Sequence, residues 1–269
     1  MPELTEIIQK RFDGFLQTNY LWKNQTFYGL KQFEIAQNFI KFNTEINKNL
    51  RLGKYIERFV SFQLQQNNSV ILNAENVQIQ QEKRTLGELD CILQYKETPI
   101  HLEIIYKFYL FDTSVGKTEI EHCIGPNRKD TLIEKLTKLK TKQLPLLYTQ
   151  ECKKFLETLN LDSKDIEQRV YFKAQIFIPL NKKVKFKILN SDCITGFYIY
   201  KEEIQQFKDC KFYIPIKKDW LIIPHTKVKW QNFDNFFNET LILLENKFSP
   251  LCWIKHRNGV LEKFFLVWK

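Results

Sequence analysis

The chain has 269 residues, 43% hydrophobic and 14% aromatic, which is enough apolar material to bury a core and too much for a disordered chain. Gly and Pro, at 8 each, are too few for a collagen-like or loop-dominated protein. Lys and Arg number 41 against 31 Asp and Glu, and the resulting charge of +10 favours contact with nucleic acid or another anionic surface.

The six cysteines, Cys91, Cys123, Cys152, Cys193, Cys210 and Cys252, are scattered, with no Cys-x-x-Cys pair. Neither a disulfide framework nor a zinc site is expected from them. Met1–Lys10 contains Glu3 and Glu6 and does not read as a secretory leader. No apolar run reaches the roughly 20 residues needed to span a bilayer. A cytoplasmic protein with reduced thiols and no membrane partner is expected. There is no P-loop, dinucleotide fingerprint, serine-hydrolase elbow or His-Glu-x-x-His motif.

In chain order, residues 1–50 read as an N-terminal helical segment that packs on a core. Phe12, Phe15 and Leu16 form one stripe. Phe33, Ile35, Ala36, Phe39, Ile40 and Phe42 form a denser one. Residues 51–169 are the expected core region. It opens with a helix over 52–66, in which Glu57 lies beside Val60 and Leu64 at the edge of the apolar face. Val70–Leu72 and Asn76–Gln80 suggest short strands. Glu88–Gln94 and Ile100–Tyr109 suggest longer ones, paired as a hairpin through a turn at 95–99. Residues 128–144 have helical spacing in Leu132, Leu136, Leu139 and Gln143, after a Gly125-Pro126-Asn127 turn. Residues 150–168 read as another helix. From 170 to 269 the sequence turns strand-rich, as an extension or as part of the same compact domain. Tyr171–Leu180, Val184–Leu189, Phe197–Tyr200, Lys211–Ile216 and Trp220–Pro224 read as strands. Trp230–Lys247 reads as a helix and Leu261–Trp268 as a terminal element.

The chemistry concentrates in the proposed hairpin. Residues two apart on a strand share a face, so Glu88, Asp90 and Ile92 point one way. His101, Glu103, Ile105 and Lys107 share a face of the next strand. Pairing the strands brings Asp90 and Glu103 together, and two adjacent carboxylates are costly to bury. A hard cation such as Mg²⁺, or Mn²⁺, would resolve that cost. Glu57 from the preceding helix could complete the shell. Lys107 could then orient a water or offset charge on phosphorus. The bland alternatives are a structural Glu103–Lys107 pair and solvated strand-edge charges. His101 and the helix-start residues Arg128 and Lys129 are candidate phosphate contacts, and Asp130 a helix cap. Lys182, Lys183, Lys185 and Lys187 read either as a basic strand edge or as a nucleic-acid surface.

The segments LGKYIERFVSFQL at 52–64, RTLGELDCILQ at 84–94, HLEIIYKFYL at 101–110 and GPNRKDTLIEKLTKLKTKQL at 125–144 resemble the PD-(D/E)xK nuclease superfamily. Within it they are most similar to the bacterial DUF1853 family, and YFKAQIFIPL at 171–180 continues the likeness. The resemblance implies an α/β, restriction-endonuclease-like core with a central mixed β-sheet flanked by helices. It implies a metal-dependent nuclease acting on DNA, with Glu57, Asp90 and Glu103 as metal ligands and Lys107 as the catalytic lysine. Lys135 and Gln143, on the following helix, would contact phosphate or the site. In the usual pattern the lysine lies two residues after the second acid, where this chain has Ile105. Lys107 keeps the parity but sits about 6–7 Å further along the strand. A catalytically inert nucleic-acid-binding relative, and a structural or protein-interaction protein on the same fold, are the alternatives.

Overall fold

A computed structural model describes residues 2–23, 26–36 and 40–268, so the expectation for Phe39 lies outside the described residues. The architecture is α/β, with helices at the N-terminus, a mixed sheet and a strand-rich C-terminal region. The chain divides into two compact units. One comprises Met1–Asn19, Lys107–Ile133 and Ala174–Lys269, and the other Tyr20–Tyr106 and Glu134–Lys173.

The second unit is built on helix α2 (Leu52–Gln65), on strands β1 (Val70–Gln81) and β2 (Arg84–Tyr95), and on the first parts of β3 (Thr98–Phe111) and β5 (Glu167–Pro179), in the order β1-β2-β3-β5. The two short segments expected at 70–80 are one strand, irregular between Leu72 and Ala74. Strands β2 and β3 form the expected hairpin, with register Cys91↔Leu102 to Tyr95↔Thr98. Its turn is only Lys96 and Glu97, both left-handed at φ 47° and 69°. That is the hand that matches strand twist, here without the usual Asn-Gly.

Tyr55, Ile56, Phe59 and Val60 of α2 are fully buried, and Phe42 packs edge-on against Phe59 and Phe62. A second cluster joins Ile79, Leu89 and Ile92 to Leu146, Leu147, Cys152 and Leu156. Helix α4 (Gln150–Thr158) supplies the last two and is capped by Thr149, which accepts from the Cys152 N–H. It is shorter than the helix read over 150–168.

The reading of residues 1–50 as helical holds for Pro2–Gln17 and fails beyond it. Tyr28 and Gly29 are both left-handed and close a tight turn between Phe27 and Leu30. The backbone then runs along β5, through Leu21 N–H to Phe172 O and Phe33 N–H to Val170 O. The Gln32 amide both donates to Phe172 O and accepts from Phe172 N–H. Aromatic spacing imitated a helix, but these rings are buried from an irregular segment that covers a strand edge.

The helix expected over 128–144 starts later and changes pitch. Helix α3 (Leu132–Lys138) passes into a π turn at Leu139–Gln143 and a 3-10 turn at Leu144–Tyr148. Pro145 has no N–H with which to continue an α-helix.

The first unit holds helix α1 (Pro2–Gln17), β4 (Cys123–Ile124), which pairs with the end of β3, and a sheet of order β5-β6-β9-β8-β7. The remaining elements are β6 (Ile194–Tyr200), β7 (Lys211–Tyr213), helix α5 (Phe233–Glu245), β8 (Leu251–Lys255) and β9 (Leu261–Val267). Strand β6 lies parallel to β5 and β9, whereas β8 is antiparallel to β7 and β9. Phe212 stacks on Phe236 from α5, and Phe264 on Phe197, in one buried cluster. Residues 184–189 are not a strand. The N–H groups of Lys187, Ile188 and Leu189 are taken instead by the Glu119 carboxylate, at 2.8, 3.1 and 2.6 Å. Lys217–Leu221 is a 3-10 turn where a strand was expected, and β8 was not foreseen. No helix among the described residues is long and apolar enough to cross a membrane.

Gly196 is needed where β6 meets β9. A Cβ there would stand 2.0 Å from Lys263 O and 3.1 Å from the Phe177 ring. Gly196→Ala is expected to lower unfolding stability by about 3 kcal/mol, since backbone of an inner strand has to move. Urea titration of the two proteins checks it.

Candidate metal centre

The candidate centre lies within the second unit and is assembled from consecutive elements. Lys54 and Glu57 are one helical turn apart on α2. Glu88 and Asp90 alternate onto one face of β2, and Asn76 lies on β1. Extending the β2–β3 register by one pair sets Asp90 opposite Glu103. The cross-strand bond from Ile104 N–H to Asp90 Oδ2, 2.8 Å, ties the two strands there.

Carboxylate oxygens of Glu57, Glu88 and Asp90 all lie within 4.8 Å of one another, the one such group among the described residues. Glu88 was placed on the Asp90 face by strand parity but not counted as a ligand. It is the member that sequence reasoning missed. Lys54, also missed, bonds Glu57 Oε2 at 2.8 Å, Asn76 Oδ1 at 2.9 Å and Glu88 Oε1. Asn76 adopts the left-handed conformation, φ 53°, inside β1.

Glu103 is buried and sits outside the triad, held by its own partners. Gln143 donates to its Oε2 at 2.6 Å, and Lys135 holds the other end of that amide at 2.8 Å. The His101 Nε2 lies 3.2 Å from Glu103 Oε1. Gln168 donates to Leu144 O at 2.6 Å and reaches His101 Nδ1 at 3.2 Å. An amide N–H there makes Nδ1 the acceptor and puts the imidazole proton on Nε2, facing the carboxylate. Gln168 was not foreseen, because nothing in its local sequence marks it.

Burial, then Glu103, pushes the Asp90 carboxyl up to about 8, against the pull of the Ile104 N–H. Burial also raises Glu57, opposed by Lys54. Lys54 is desolvated, yet its bonds to Glu57 and Glu88 outweigh that and hold its ammonium above its ordinary value. One ammonium thus faces the three carboxyl groups of Glu57, Glu88 and Asp90. A donor set of hard oxygens with surplus negative charge fits a divalent ion such as Mg²⁺ or Mn²⁺. A cleft of about 430 Å³ opens beside it, lined by Asn47, Leu50, Lys54, Arg58, Asn76, Gln78 and Glu88.

The remaining candidates are engaged elsewhere. Lys107 gives its ammonium to Asp130 Oδ2 at 2.6 Å, within the first unit. Asp130 is therefore an ion-pair partner, and α3 begins two residues after it. Arg128 donates twice to Asp112 Oδ2, at 2.9 and 2.6 Å.

Fold and site together make this an α/β chain with a potential acidic metal-binding triad, Glu57, Glu88 and Asp90, and a lysine among the acids. A family model described as Domain of unknown function (DUF1853) matches residues 18–252, and the chain belongs to that family. No curated protein and no solved structure matches it.

Proposed function

We propose that this chain is a divalent-metal-dependent nuclease of PD-(D/E)xK type that hydrolyses phosphodiester bonds in DNA. The observation that carries the reading is the convergence of Glu57, Glu88 and Asp90 beside the buried Glu103. When bound, the metal would polarise a phosphate oxygen and acidify a water. Glu57, Glu88 and Asp90 hold the ion. Gln143 and His101 hold Glu103 in place, and Lys135 anchors Gln143. Lys54 supplies the ammonium for charge developing on phosphorus, a role that Lys107, paired to Asp130, leaves open. The net charge of +10 favours an anionic polymer as substrate.

One observation favours a second reading. Lys54 already neutralises Glu57 and Glu88, as it would in an inert nucleic-acid-binding protein on this fold. Duplex, single-stranded and nicked DNA, and RNA, incubated with Mg²⁺ or Mn²⁺ separate the two. Cleavage of DNA is expected, and Glu88→Gln should reduce it by more than the roughly 10–100-fold typical of residues that only orient a ligand. Salt-sensitive binding without turnover would select the second reading. Neither binding nor turnover would sink both.

A further inference from the structure

Apart from the acidic cluster, the first unit carries a second set of reactive side chains. Cys210, His256 and Glu262 form a chain through the two ring nitrogens of one imidazole. His256 Nε2 lies 2.7 Å from Glu262 Oε2, and His256 Nδ1 lies 3.9 Å from the Cys210 sulfur. The geometry points to a thiol–imidazole–carboxylate site that takes an acyl group from an ester or thioester onto Cys210.

The arrangement follows from strand register. Lys211 pairs with Lys255 across β7 and β8, and one step further along that register sets Cys210 opposite His256. The next step sets Asp209 opposite Arg257, and these two form an ion pair at 2.7 Å that ties the two turns together. Ile254 pairs with Glu262 across β8 and β9, which brings Glu262 back to a diagonal position beside His256. The His256 N–H bonds Val260 O, and Gly259, left-handed at φ 84°, closes this turn. Phe207 packs edge-on against the imidazole. Glu262 is thus placed by strand pairing, and Cys210 and His256 lie one residue beyond the paired ends of β7 and β8.

The tautomer is set by the carboxylate. An ionised Glu262 can only accept, so the proton of a neutral His256 sits on Nε2 and the lone pair of Nδ1 faces the thiol. That is the form able to act as a base. Burial, then Asp209, pushes the Cys210 thiol up, with Arg257 opposing. The resting group is therefore a thiol, and the imidazole removes its proton during attack. Cys210 is partly accessible, whereas the other five cysteines are buried. The His256–Glu262 end of the chain lines a cleft of about 540 Å³, together with Phe207, Asn181, Thr195 and Pro179.

The step balances without an oxidant. The thiol proton passes to Nδ1 as the sulfur–carbon bond forms and the carbonyl electron pair moves to oxygen. Collapse expels the alcohol or thiol leaving group, which takes the proton back from the imidazolium. Water then repeats the sequence on the acyl-cysteine, releasing the acid and restoring the thiol. Glu262 acts through His256 as a positioning residue.

The test uses the full-length chain and p-nitrophenyl acetate, with nitrophenolate release followed in time and the acetylated residue located by peptide mass. A burst with the acetyl group on Cys210 is expected. His256→Gln should slow that acetylation by about 100-fold, the scale of a lost general base. Glu262→Gln, at a half-exposed side chain whose loss should leave the fold intact, should slow it less. A Cys210 that acetylates equally fast in His256→Gln, or acetylation confined to lysines, would overturn the assignment. Unchanged thermal melting of both variants keeps either result interpretable.

Discussion

Asp90→Asn is expected to abolish metal-dependent cleavage while making the metal-free protein more stable. The two effects share one cause. The Asp90 carboxyl is buried against Glu103, and its raised value, about 8 against 3.8 for an ordinary aspartate, reports the cost of its charge. The folded state therefore keeps a proton that the unfolded chain has released. An acid raised on folding lowers stability as pH climbs through the window from about 4 to about 8. Asparagine keeps an oxygen for the Ile104 N–H, which now bonds Asp90 Oδ2 at 2.8 Å, and carries no charge. Metal-free Asp90→Asn should match the wild type near pH 4 and exceed it at pH 8 by about 1–3 kcal/mol, the usual scale for an unsatisfied buried group. Urea titrations at the two pH values measure this. Saturating Mn²⁺ should reverse the order, because an ion at about 100 times its dissociation constant stabilises the protein that binds it by about 2.7 kcal/mol. A variant less stable than wild type at both pH values would mean that the carboxylate is well satisfied without a metal, and the case for the centre would fall with it.

The candidate centre was legible in the sequence as far as parity reached. Alternation placed Asp90 and Glu103 on facing positions of a hairpin, and that hairpin is present with the register it required. Parity had already put Glu88 beside Asp90. What hid its part is that a lone acid near a strand end is usually solvated, and only the arrival of α2 over that face distinguishes it. Lys54 was hidden for the same reason, since its partners lie on α2, β1 and β2 at once. Gln143 was named through the family resemblance, on a helix that tightens and widens in ways its leucine spacing does not show. The N-terminal misreading had a different origin. Phe33, Ile35 and Phe42 are buried as expected, but burial of aromatics at helical spacing does not require a helix where Tyr28 and Gly29 turn the chain and Gln32 ties it to β5. In the C-terminal region, the run at 184–189 has strand-like composition. Its amides bond a single carboxylate 68 or more residues away in sequence, a partner that local pattern cannot anticipate.

Lys263 provides a second large pH effect on stability. Its side chain is buried in the first unit, on the inner strand β9. Its amine donates to Trp220 O at 2.7 Å and to Gln175 Oε1 at 3.2 Å. Both acceptors are neutral, and two acceptors match the two N–H bonds of an uncharged amine. Burial accordingly pulls Lys263 down to about 7 from 10.5. The sign is opposite to that of Asp90. Between about 7 and 10.5 the unfolded chain holds a proton that the folded one has given up, so stability rises with pH, at most by about 1.4 kcal/mol per unit. Below about 7 both states are protonated and the full cost of the buried charge remains. Lys263→Met keeps the length and most of the packing without the amine. It also leaves Gln175 Oε1 and Trp220 O without this donor, a cost of about 1–3 kcal/mol that does not vary with pH. Absolute stability therefore mixes two terms, whereas the slope isolates one. Urea midpoints of wild type and Lys263→Met between pH 6 and pH 10 should converge or cross as pH rises, with the variant relatively most stable at pH 6. Parallel curves would mean that Lys263 stays charged in the fold and that a counter-charge stabilises it.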